Sequence, residues 1–188
     1  MKHPKIVFSV SRIFHDTFIP EERLDNKKHK RLKEDARRFE IFFRQYEKQI
    51  YEKFRKYLDG KPNEDEIKVW ITVEGKFPSI SSPLILKSRS NHHLMLYILV
   101  HELVHRYFEF GRPYKDLHDN IWLQPGAKSE ALMHIITRRV FSDISAAAVD
   151  NVFREVDRKI IDKKAGKVME KISLDLDKMT VLEYIKTA

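Results

Sequence analysis

Hydrophobic positions alternate with polar ones in short runs of the N-terminal half and recur every three or four residues elsewhere, a pattern that predicts a small sheet among several helices. Residues 5–10, KIVFSV, are β-prone and read as a strand. From 27 to 58, Leu32, Ala36, Phe39, Phe43, Tyr46, Ile50, Phe54 and Tyr57 form one apolar stripe against a face of Lys, Arg and Glu, which predicts one long helix. Gly60 and Pro62 follow as its stop signal. In EIKVWITVEG (66–75), Ile67, Val69, Ile71 and Val73 alternate with Lys68, Trp70, Thr72 and Glu74, as in a strand with one buried face. KFPSISSP has loop chemistry, and LILKS (84–88) reads as a further short strand.

Ser90 or Asn91 can cap the next helix, which is apolar almost all round and runs to Phe110, with Gly111 just past its end. A polar linker (112–126) leads to another helix in AKSEALMHIITRRVF, with Ala131, Ile135 and the Arg138 stem on its inner side. Val149, Phe153, Val156 and Ile160 suggest an amphipathic helix, and Thr180 with Glu183 resembles a capping box opening a short terminal one. There is no internal repeat. The reading is one domain over 1–188, with a sheet-plus-helix part at 1–111 and a helical part at 112–188. Residues 144–188 are expected to form core, the alternative being an inhibitory tail laid across a cleft.

Composition narrows the chemistry. The 188 residues contain no cysteine, which excludes disulfides, thiolate metal sites and cysteine nucleophiles, so any metal must be held by His, Asp or Glu. No stretch has the form of a signal peptide, and the longest apolar run, LMLYILV (94–100), is too short to cross a bilayer, so a soluble cytoplasmic protein is expected. The net charge of +8 concentrates in 26–38 and 158–167, both on predicted helices. A solvated helix face explains such runs, and a surface for nucleic acid or another polyanion is the alternative.

The helix at 91–110 raises a harder question, because it places two histidines and a glutamate at the centre of an apolar segment. Burying such groups without partners costs several kcal/mol, so a compensating partner is needed, and a metal ion is the leading candidate. His101, Glu102 and His105 form the pattern HExxH. Positions four apart return to nearly one helix face, with about 6 Å between their Cβ atoms, so both imidazoles can converge on one Zn2+. Glu102 lies about 100° further round, beside the metal rather than on it, where it can take a proton from water acidified by the ion. The chance expectation of this pattern in a chain of this composition is roughly 0.03. Leu94, Ile98 and Phe108 share the stripe with the two histidines, so the ligand face is otherwise apolar.

VHELVH resembles the zinc-binding helix of the zincin metallopeptidases, and the element order from 5 to 110 is similar to their minimal N-terminal subdomain. The longer metzincin pattern is absent, because Phe108 and Gly111 stand where that group has glycine and histidine. The resemblance implies an α+β, zincin-like fold: a small antiparallel or mixed sheet packed on a long backing helix and the HExxH helix, then a helical C-terminal part. It also implies a zinc peptidase acting on peptides or unfolded proteins, with substrate extended along the edge of strand 67–74 or 84–88.

Two third ligands follow from two branches. Glu130, near the start of the next helix, resembles the gluzincin arrangement, most closely that of the minigluzincins. His118, in DLHDNIW, has a spacing similar to that of the Spartan-type proteases, which act on proteins crosslinked to DNA. Glu130 is preferred because a helix holds a ligand more rigidly than a polar loop does, and Asp119 stands where the Spartan-type family commonly has glycine. Gluzincins often carry an aspartate four residues after the ligand glutamate to orient a zinc histidine; here that position is His134, so the orienting group must come from elsewhere. His134 can instead donate to an oxyanion or add a ligand, and Tyr114 can play the same electrophilic part from the linker. The remaining alternative is a non-catalytic protein that keeps the fold and the metal.

Overall fold

A computed structural model describes residues 3–20, 23–58, 64–73, 80–111, 114, 126–159 and 163–187. It is an α+β fold, mostly helical, with one small mixed sheet. The strands are β1 (Lys5–Ser9), β2 (Glu66–Thr72), β3 (Ile80–Ser81) and β4 (Leu84–Lys87), in the order β1-β2-β4-β3. β1, β2 and β4 run parallel, and β3 turns back antiparallel to β4. The sheet is therefore mixed. No helix among the described residues is long and apolar enough to cross a membrane.

Alternation in β2 sorts the two faces of the sheet, since residues paired across strands share a face. Ile6 pairs with Ile67, Phe8 with Val69, and Ile71 with Leu86, and this side is covered by helices. Trp70 and Ile85 lie on the other side, where a helix absent from the sequence reading, α1 (Arg12–Phe18), stacks Phe14 on Trp70 at 4.3 Å. Ser11 caps α1 by accepting from the Phe14 backbone N–H.

The long helix expected over 27–58 is two helices, α2 (Asn26–Arg44) and α3 (Glu47–Tyr57). The Gln45 and Tyr46 amides tighten back onto the carbonyls of Phe42 and Phe43 and break the α-helical ladder there. The apolar periodicity stays in phase across the break, so it carried no trace of it. The bend lets one stripe serve two surfaces: α2 lies on β1 and β2, and α3 turns to pack against the helix after the cleft. KFPSISSP also differs from its loop reading, since Ile80 and Ser81 pair with Ile85 and Leu84. Gly60 and Pro62 lie outside the described residues.

α4 (His92–Phe110) has the predicted ends: the Asn91 side chain accepts from the Leu94 N–H at 3.1 Å, and the Gly111 N–H closes on the Tyr107 carbonyl. Its residues from Leu94 to Val100 are all buried, because the sheet and α2 cover one flank while α5 (Gly126–Ile144) and α6 (Val149–Lys159) cover the other. α7 (Lys163–Leu176) packs along α5 through buried Met169, Ile172 and Leu176. α8 (Val181–Thr187) opens with the expected reciprocal cap between Thr180 and Glu183. One continuous apolar core runs from Ile6 to Ile185.

The sheet order narrows one expectation about substrate. Strands 67–74 and 84–88 were to offer a free edge, but β2 is flanked by β1 and β4, and β4 by β2 and β3. β2 is thus interior, while among the described residues β4 pairs with β3 only at Leu84 and Ile85. The edge beside α4 belongs to β3.

Candidate metal centre

Helical spacing brings the two α4 histidines together: His101 Nε2 and His105 Nε2 are 3.0 Å apart, with their rings nearly perpendicular at 81°. α5 crosses α4 and supplies the third group. The Glu130 carboxylate stands 3.5 Å from His101 Nε2 through one oxygen and 3.5 Å from His105 Nε2 through the other. A tetrahedral ion with bonds of about 2.0–2.1 Å separates its donors by about 3.3 Å, close to the 3.0 Å between the two imidazole nitrogens and to the 3.5 Å from each of them to its nearer carboxylate oxygen. The nitrogen and oxygen donors also suit zinc, so the residues present fit the ion.

His134, one turn after Glu130 on α5, joins the cluster: its ring stacks on His101 at 4.3 Å between centroids. One donor atom each from His101, Glu130 and His134 lie within 4.8 Å of one another. His134 Nδ1 faces the Tyr97 hydroxyl at 3.1 Å, which leaves the other ring nitrogen for the cleft. Thr137 lies beside His101 across the helix crossing. Its hydroxyl donates to the Met133 carbonyl at 2.7 Å, and its oxygen lies 3.4 Å from His101 Nδ1, placed to accept the N–H there. That tautomer is the one a bound cation would select, with the Nε2 lone pair directed at the ion; without an ion, Nε2 can carry the proton and donate to Glu130.

Burial and charge pull these groups in different directions. Burial pushes the Glu102 carboxyl up to about 7, into the range of a general base. Burial, with His101 alongside, holds His134 down to about 3, so its ring is neutral at physiological pH. Burial also lowers His101. For His105 burial opposes the charged ring, but the hydrogen bond and charge of Glu130 outweigh it and raise the pKa. Burial works against the Glu130 carboxylate as well, yet the hydrogen bonds of His101 and His105 prevail and keep it far below the usual carboxylate range.

The cluster lies in a cleft of about 490 Å³. His101, Glu102, His105, Glu130 and His134 line one side, and Ile80 and Ser81 of β3 form the opposite rim. Arg106, the residue after the second histidine, is 8% exposed and ties that rim to α4. Its guanidinium donates to the Ser81 carbonyl and pairs with Glu64 at the foot of β2.

The structure thus gathers His101, Glu102, His105, Glu130 and His134 and leaves Tyr114 out. Tyr114 is fully buried, its ring packed on Phe108, and it is not among the cleft-lining residues. His118 and Asp119 lie outside the described residues. Thr137, Tyr97 and Arg106 were not singled out from the sequence, because each acts through a partner on another element and none belongs to a motif. Compared with known proteins, the chain matches no family model, no curated protein and no solved structure.

Proposed function

We propose that the chain is a zinc-dependent peptidase of zincin-like fold, with His101, His105 and Glu130 as metal ligands and Glu102 as general base. The observation that carries this reading is the triangle of donors at 3.0, 3.5 and 3.5 Å with a buried carboxyl beside it. Hydrogen bonds between the Glu130 carboxylate and the imidazoles account for part of this convergence, and a cation at the shared point rewards it further. When bound there, Zn2+ supplies Lewis acidity, making water nucleophilic near neutral pH and polarising a carbonyl.

The chain's own groups do the rest. Glu102, whose pKa of about 7 balances proton uptake against release, takes the proton of the attacking water and passes it to the leaving amine. Neutral His134, oriented by Tyr97, donates from its free ring nitrogen to the oxyanion that develops on the scissile carbonyl. The outer edge of β3 pairs with an extended peptide and lays it across the cleft. Peptides and unfolded proteins fit such a rim; a folded domain has no free strand to offer.

Metal analysis of the purified protein tests the first step, with about one zinc per chain expected. Glu102→Gln should keep the zinc and lose peptidase activity roughly 100- to 10,000-fold. Full activity in that variant would remove the base, and a zinc-free, folded wild type would remove the centre. Glu130→Ala should lose zinc while His118→Ala keeps it; the reverse would assign the third ligand to the loop.

A further inference from the structure

The outer face of α2 gathers five exposed cations within the eleven residues 27–37. Several described cations are matched: on α2 itself Arg38 pairs with Asp35 and Arg44 with Glu40 and Glu47, and elsewhere Lys53 pairs with Asp143, Arg106 with Glu64, Arg138 with Asp157 and Arg139 with Asp177. Lys27, Lys30, Arg31, Lys33 and Arg37 are all exposed, and none of them forms an ion pair within the described residues. At 100° per residue the five occupy an arc of about 160°, opposite the face that buries Leu32, Ala36, Phe39 and Phe43. Glu34 is the one acid inside the arc, so the face keeps a net charge of about +4.

Two features reinforce it. Arg12 of α1 donates to Asn26 at the start of α2, which adds a cation beside the positive end of the helix dipole. Partial burial, and then the charges of Lys33 and Arg12, hold His29 below its ordinary pKa, as expected where the local field is positive.

We infer that this face of α2 is a docking surface for the phosphate backbone of a nucleic acid. Five cations spread over about 15 Å of helix face a duplex that carries one charge per about 1.7 Å of axis, so each has a phosphate within reach. An anionic membrane fits the same charge less well, because surface helices bind membranes by inserting an apolar face, and that face of α2 is spent on the core. The side chains involved are all exposed, so the surface can be altered without touching the core.

The test is fluorescence anisotropy of the full-length protein with a labelled duplex of arbitrary sequence, read over a salt series. The triple variant Lys27→Glu, Lys30→Glu, Lys33→Glu is compared with Lys171→Glu, Lys178→Glu, Lys186→Glu, an equal charge change on exposed positions of α7, α8 and the turn between them. The wild type should bind with a log–log salt slope of about −4, and the α2 variant should bind at least about tenfold more weakly while the control stays near wild type. Glutamates near a helix N-terminus do not disfavour the helix, and circular dichroism checks that the fold persists. No binding at low salt, equal weakening in both triples, or binding to phosphatidylserine vesicles in place of the duplex would each overturn the inference.

Discussion

At the scale of single residues the site depends on which ring nitrogen of each histidine carries its proton. His101 can present Nε2 to a cation only if Nδ1 keeps its hydrogen, and the Thr137 oxygen 3.4 Å away is the group that holds it. Thr137 is fully buried and spends its own proton on Met133, so its lone pairs are directed by geometry rather than by chance. Thr137→Val keeps the shape and removes the acceptor. Zinc affinity, measured by competition with a chromogenic chelator, should fall roughly 10- to 100-fold with the circular dichroism unchanged. An unaltered affinity would show that the ring is oriented by other contacts. The pairing of His101 with His105 was legible in the sequence because both lie on one helix, where spacing alone fixes the face. Thr137 was not, because it reaches His101 across a helix crossing that no local pattern encodes.

Elements tell a similar story about what a one-dimensional pattern can carry. The limits of α4 were readable because caps are local: Asn91 serves its own helix, and Gly111 closes it. The break between α2 and α3 was hidden, since an apolar stripe repeats with the same period on a bent helix as on a straight one. β3 was hidden as well, for two residues are too few to show alternation. Arg106 links these scales by fastening β3 to the helix that carries the histidines. In the proposed peptidase, Arg106→Ala should raise KM for an extended peptide by roughly three- to tenfold while kcat changes less, because the rim aligns substrate without touching the reacting atoms. Hydrogen exchange over 80–85 should quicken in the same variant. A drop in kcat alone would place Arg106 in the chemistry instead.

For the whole molecule, the C-terminal helices are part of the core. Met169, Ile172 and Leu176 of α7 are buried against α5, and among the described residues nothing after His134 lines the cleft. Three large apolar side chains at about 1.5–3 kcal/mol each amount to a stabilisation comparable with that of an entire domain. A chain truncated after Lys159 should therefore lose its cooperative thermal transition and, in the proposed peptidase, its zinc with it, since Glu130 is carried on the helix that α7 supports. An inhibitory tail makes the opposite forecast, a stable fragment with raised activity. The mixed α+β class was readable from strand and helix patterns in order. The parallel pairing of β1, β2 and β4 was not, because register and direction are chosen by the helices between the strands.

The brevity of β3 has a protective side. In the proposed peptidase, a sheet border that receives a guest strand would also invite a sister molecule, and long, flat borders are where β-rich proteins fuse into aggregates. Two residues, held from behind by a buried guanidinium, would suffice to seat a peptide in that reading and are too few to template a fibre.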